Sequence, residues 1–371
     1  MKKALFIVCL VLALLLSGCA AALRDALDTG YNVFGIPNPD LHIDYASYPD
    51  IGDMVELRDH IAAQREQGKL EFSFIYSGTE EIDPGVVAQM ADVCYVKMTQ
   101  EGNICHLEMT AFPGERIVEA YFSGKTDSLT QDERKVLEIA AEMVEDAQNQ
   151  AENDWELELL LHDTLAERIS YSDADIYYEK PEDQPRHLSV IGALLDGQAN
   201  CQGYTDAFYT LASLAGFEVG RLSVETDTDP HMVNTICLDG SWYVVDLTYD
   251  DSNDALISYR LFNAGMDMIG EEYWWDEATE PNIIVANSDE NSYYIRNALA
   301  FEDIEALAEF VAESWAEMGN TQIHAMLQNE ADSEKLNDVL PDALEKWGRS
   351  YSYSLWHSSN GVDSFYTVVF E

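Results

Sequence analysis

Two alternating stretches, His231–Leu238 and Ser241–Tyr249, are separated by only two residues, Asp239-Gly240. Asp-Gly readily takes up the positive φ angles of a two-residue hairpin turn. A turn of that length leaves no freedom in pairing: Leu238 faces Ser241, Val233 faces Asp246 and His231 faces Thr248. Side chains alternate between the faces of a ribbon, so His231, Val233, Asp246 and Thr248 project to one side. His231 and Asp246 are then diagonal neighbours. A carboxylate there can hold one imidazole nitrogen and leave the other for a third group.

The candidate for that group is Cys201, in Gly197-Gln198-Ala199-Asn200-Cys201-Gln202-Gly203-Tyr204. Gly197 and Gly203 flank the cysteine with flexible backbone, and Tyr204 to Ala215 reads as a buried helix ending at Gly216. Cys201 is therefore expected at or just before a helix N-terminus, where unpaired N–H groups and the positive dipole end favour thiolate, the reactive form of a cysteine. Taken singly, a buried Cys is usually packing, a lone His a satisfied polar group, and a strand Asp an edge feature. Together they match the nucleophile, base and orienter of a thiol triad. A metal site from the same residues is disfavoured, because no short-spaced ligand pair such as Cys-x-x-Cys occurs. Cys237 is on the face of His231 but roughly 20 Å along the strand at ~3.3 Å per residue, and reads as core. Gln198, Gln202 and the Cys201 N–H are the candidate oxyanion donors. His162, followed by Asp163 on a helix, reads as structural. Asp227, Asp229, Asp250, Asp251, Asn253 and Asp254 crowd two loops near the site and read as solvated loops rather than a calcium site.

These blocks resemble the transglutaminase-like superfamily of papain-like fold, whose bacterial members carry Gly-x-x-x-Cys-x-Gly-Tyr, then His-x-x-Asn, then Asp-x-Thr. Here those are Gly197 to Tyr204, His231 to Asn234 and Asp246 to Thr248, and Leu161-His162-Asp163 and Ile169-Ser170-Tyr171 resemble the helix that precedes the cysteine. The likeness covers roughly 155–290. It implies an acyl-thioester on Cys201, formed from an amide and released to an amine or water. Two positions that are often Trp in such proteins hold Val233 and Tyr249, which bears on acceptor choice more than on the triad.

Around this block the chain divides into five stretches. Residues 1–18 read as a lipoprotein signal peptide: Lys2 and Lys3 precede an apolar run, Ala4 to Leu16, that ends in Leu16-Ser17-Gly18-Cys19 and resembles a lipobox, with Cys19 as the lipidation site. Residues 19–50 read as a tether. Residues 51–127 read as a small α+β module, with helices over 54–67 and 84–96 and strands over 70–76, 104–110 and 117–122. Residues 128–295 hold the thiol domain, opened by a Thr130–Glu133 capping box. Residues 296–371 form a second small module, with helices over 303–317 and 333–347 and strands over 321–327, 350–356 and 364–370. Helix, strand, helix, strand, strand recurs on both sides and suggests a duplicated unit. Cys94 and Cys105, close in sequence, are open to either a local disulfide or two buried thiols.

The 371 residues carry 69 Asp and Glu against 20 Lys and Arg, a formal net charge of -49, which repels phosphate backbones and sets nucleic acid aside as a partner. The expectation is an α+β protein with a papain-like core flanked by two small α+β modules, lipid-anchored on the extracytoplasmic face of a bacterial membrane. It would act on protein or peptide amides as a cysteine protease, amidase or acyltransferase, without metal or cofactor. A catalytically inactive surface binding module that keeps the fold is the alternative.

Overall fold

The computed structural model describes residues 48–178, 180–251, 256–270, 272–275, 284–329, 331, 333–348 and 350–370. The signal segment, Cys19, most of the tether, Asn253 and Asp254 lie outside them. Among the described residues, no helix is long and apolar enough to cross a membrane.

The first module runs β1 (Asp50–Ile51), α1 (Met54–Glu66), β2 (Glu71–Tyr76), α2 (Pro84–Ala91), β3 (Tyr95–Glu101) and β4 (Ile104–Thr110), then continues into α3 (Pro113–Ser123). Its sheet has the order β1-β2-β4-β3, with the first pair parallel and the others antiparallel. Two expectations change here. The helix expected over 84–96 stops at Ala91, because Asp92 turns left-handed with φ 47 and closes it, and the chain then enters β3. The strand expected over 117–122 is helical: Pro113 is at the first position, Gly124 ends it at φ 70, and Pro113, Gly114, Ile117 and Ala120 are buried at helical spacing. A proline start and a glycine stop mark helix ends. Cys94 and Cys105 are both free. Tyr95 pairs with Thr110 while Cys105 pairs with Gln100, so the two thiols are several residues apart along the ribbon, beyond disulfide reach.

The central region begins with α4 (Gln131–Gln150), whose capping box between Thr130 and Glu133 is formed in both directions. It continues through α5 (Asp154–Ala166), β5 (Ser170–Tyr171), β6 (Gln198–Ala199), α6 (Cys201–Ala215), β7 (Val219–Glu225), β8 (Pro230–Leu238), β9 (Ser241–Val245) and the short α7 (Leu247–Asp250). Leu161, Leu165, Phe208, Leu211, Ile236 and Val245 belong to one buried core that joins the helices to the β7-β8-β9 sheet. Asp239 and Gly240 take φ 54 and 82, the positive pair of a two-residue turn, and Leu238 pairs with Ser241. The second strand ends at Val245 instead of reaching Tyr249, so His231 lies opposite Val224 of β7 and not opposite Thr248.

The last module repeats the first. β10 (Ala300–Phe301), α8 (Ile304–Ala316), β11 (Gln322–Leu327), α9 (Ser333–Glu345), β12 (Tyr353–Ser359) and β13 (Ser364–Phe370) form a sheet of order β10-β11-β13-β12, again with one parallel pair followed by antiparallel ones. The two flanking sheets therefore share one topology.

Candidate active site

Cys201 is the first residue of α6. Asn200 caps that helix, its side-chain oxygen accepting from the Gly203 N–H at 3.1 Å. Gly203 is helical, and its role differs from simple flexibility. A Cβ there would fall 2.3 Å from the His187 carbonyl oxygen and 2.8 Å from the Ala199 Cβ. His187 in turn accepts the Asn200 N–H at 3.0 Å. The glycine lets a neighbouring backbone press against the helix start and hold the cysteine in place. Gly197, at φ 69, is a true turn residue.

His231 and Asp246 meet as their pairing implies. His231 Nε2 is 2.7 Å from Asp246 Oδ2, which leaves Nδ1 as the nitrogen free for a thiol. Asp246 does more than end a strand. It caps α7, its Oδ1 accepting the Tyr249 N–H at 3.0 Å, so the carboxylate is oriented from one side by backbone and from the other by imidazole. The Tyr273 hydroxyl donates to the same Oδ2 at 2.5 Å. Burial alone would raise the pKa of Asp246, but His231, Tyr273 and the Tyr249 N–H outweigh it and hold the carboxyl below its ordinary value. For His231, burial works against protonation. The Asp246 charge and hydrogen bond, followed by interactions with Cys201, overcome it and lift the imidazole to about 10.

Cys201, His231 and Asp246 line one cleft of about 610 Å³, together with Tyr171, Asp229 and Tyr273. Asp227 also lines it, so two of the loop aspartates expected to be solvated face the site. Asp250 does not fit that expectation at all. It is fully buried, accepts from Ser258 Oγ at 2.9 Å and the Leu261 N–H at 3.0 Å, and stands 3.3 Å from His162 Nε2. Asp251 accepts from the Tyr204 hydroxyl at 2.5 Å. His162 is wholly buried between Asp163 and Asp250; burial opposes its charge, but the two carboxylates raise it to about 9. It stands in the core, as its structural reading requires. Among the described residues, no group of three or more His, Cys, Asp or Glu could hold a metal ion. Gln202 lines a second cleft beside Cys201, with its amide donating to the Leu188 carbonyl at 2.9 Å. Gln198 is exposed on β6 and lines neither cleft.

Residues 138–247, which include all three residues, match the family model of the transglutaminase-like superfamily. The central domain is transglutaminase-like. Its fold is the α+β, papain-like one, with the cysteine at a helix start, the His on a sheet strand and the Asp just past the end of the neighbouring strand. No curated protein matches the chain. Among solved structures, one described as a TGase has 12% identity, covering 54% of this chain and 59% of its own, with a TM-score of 0.27. A candidate cysteine protease from Cytophaga hutchinsonii has 11% identity, 48% and 64% coverage, and a TM-score of 0.26. A candidate protease from Parabacteroides distasonis has 10% identity, 74% and 61% coverage, and a TM-score of 0.28. The chain thus spans about three fifths of the length of these structures.

One residue of the transglutaminase-like domain escapes a reading of its motifs. Tyr273 lies 27 positions beyond the aspartate it contacts, and no local pattern announces it. Tyr249, in a position often held by Trp, receives a hydrogen bond from Arg260 at 2.6 Å, while Val233 is buried in the sheet core.

Proposed function

We propose that this chain is a thiol acyltransferase or amide hydrolase of protein or peptide substrates, tethered to a bacterial membrane by lipid on Cys19. In this reading the Cys201 sulfur attacks an amide carbonyl after His231 takes its proton. The tetrahedral intermediate collapses as the C–N bond breaks, and the same proton passes from His231 to the departing amine. An amine or water then attacks the thioester, and the thiol returns. Asp246 orients His231 throughout and compensates the imidazolium.

The observation that carries the reading is the shared cleft, in which a thiol at a helix start faces a histidine whose other nitrogen is bound to a buried carboxylate at 2.7 Å. Asn200 takes up the Gly203 N–H through its side chain and the Tyr204 N–H through its carbonyl. The N–H groups of Cys201 and Gln202 are therefore the helix-start donors we assign to the oxyanion, in preference to the side chains of Gln198 and Gln202.

The test supplies a labelled primary amine and a peptide library to the protein and to Cys201→Ala. Incorporation of the amine by the wild type alone identifies acyl transfer, and cleavage or deamidation by the wild type alone identifies hydrolysis. Turnover by neither, or equal turnover by both, refutes the reading and favours a binding module.

A further inference from the structure

Cys201 does not sit at the end of its cleft. A second cleft of about 260 Å³ adjoins it, and Cys201, Pro230 and His231 line both. This second cleft is not made by the transglutaminase-like domain alone. Gln89 and Val93, at the end of α2 and in the turn after it, line it together with Gln202 and Ser223.

That wall is fastened firmly. The Arg221 side chain, almost completely buried, reaches from β7 to Asp92 at 2.8 Å and to Asp206 at 3.2 Å. Its guanidinium lies 3.7 Å from the centre of the Tyr209 ring and 4.3 Å from that of Phe112. Arg65 of α1 also holds Glu115 of α3 at 2.8 Å, and Ile117 and Ala120 of α3 are part of the central core. A third fastening comes from the segment before the cysteine. Tyr171 lines the first cleft and Ile176 the second, and the Tyr178 hydroxyl donates to the Cys94 carbonyl at 2.6 Å. This segment therefore runs past the thiol from one cleft to the other and is pinned to the first module. Tyr171, Ile176 and Tyr177 are exposed along it, at 55, 61 and 73%. Large apolar side chains grouped along one segment at a cleft mark a surface that binds a partner.

We propose that the first α+β module is part of the active site, with Gln89 as a specificity-determining residue for an extended polypeptide that crosses Cys201. The polypeptide's residues on one side of the reacting amide occupy the cleft bounded by Gln89 and Val93. Those on the other side occupy the cleft bounded by Tyr171 and Asp229. The apolar residues of the 171–177 segment flank the bound chain. This rests on the reading of Cys201 as the nucleophile.

Gln89 is half-buried on the helix surface, so substitution there changes the cleft without emptying a core. In the full chain carrying Cys201→Ala, binding of a positional peptide library is measured with Gln89, Gln89→Trp and Gln89→Ala. Gln89→Trp is expected to weaken binding at least tenfold, through positions on one side of the central amide only, and Gln89→Ala to broaden the residues accepted on that same side. A parallel measurement in the Cys201 protein follows iodoacetamide alkylation, which His231→Ala should slow. Unchanged selectivity in both Gln89 variants, equal losses on both sides, or no peptide binding at all overturns the proposal while His231-dependent alkylation still supports the triad. Alkylation indifferent to His231 refutes the triad itself, and the Gln89 proposal with it.

Discussion

Replacing Asp246 by Asn separates the charge of this residue from its shape. Asn caps helices about as well as Asp, so the Tyr249 N–H keeps its acceptor and α7 its start, and the buried position keeps its volume. What disappears is the negative charge 2.7 Å from His231 Nε2. In the wild type, burial pushes the His231 pKa down and Asp246 is the first of the groups pushing it up, to about 10 against an ordinary 6.5. That interval corresponds to on the order of 5 kcal/mol between charged and neutral imidazole, a net figure: Asp246 and Cys201 together supply more than this, because burial opposes them. With the charge removed and burial retained, His231 is expected to titrate at about its ordinary value or lower. The direct assay is a pH titration of labelled histidine by NMR, with the His231 signal assigned by its loss in His231→Gln.

Stability follows the same sign. A group whose folded pKa lies above its unfolded one contributes stability that is fully present below the unfolded pKa and is lost as pH rises through the folded pKa. The difference in melting temperature between wild type and Asp246→Asn should therefore be widest between pH 3.8 and pH 6.5, narrow in acid as the Asp246 carboxyl protonates, and shrink again as pH passes about 10, the value set by the paired imidazole. A His231 titration unchanged by the substitution, or a melting difference constant over that range, would refute the ion-pair reasoning.

Tyr273→Phe deletes a hydroxyl that donates to Asp246 Oδ2 at 2.5 Å; the loss of a hydrogen bond to a buried charge should lower stability by ~1.5–3 kcal/mol in urea unfolding. An unchanged midpoint would remove Tyr273 from the site. Gly203→Ala brings a methyl to within 2.3 Å of the His187 carbonyl; it is expected to cost about 1–3 kcal/mol and to slow alkylation of Cys201, and a neutral result by both measures would show that the helix start does not need this contact. If lipid on Cys19 is the anchor, as proposed, Cys19→Ser should move the protein from the detergent phase to the aqueous phase in a detergent phase-separation assay; equal partitioning of the two proteins would refute lipidation at Cys19.

Local chemistry made the site legible. Asp239-Gly240 set the hairpin register because a two-residue turn permits only one pairing, and that register carried His231 to Asp246 across 15 positions. Gly216 and the residues around Asn200 marked both ends of the helix that begins at Cys201, because caps are chosen by side chains adjacent to the helix. The order of helices and strands in the last module was readable for the same reason. Other features depended on partners far along the chain. β9 gives way to α7 where Asp246 turns to cap the Tyr249 N–H and receives Tyr273, a residue no alternation pattern connects to it. The end of α2 follows from Asp92 adopting φ 47, with its carboxylate held by Arg221 from 129 positions away. Pairing, capping and turn chemistry act over a few residues and are written in the sequence as such. The second cleft beside Cys201 exists only because packing brings Gln89 of one module to Gln202 of another, and contacts of that range leave no periodic trace in the residues that make them.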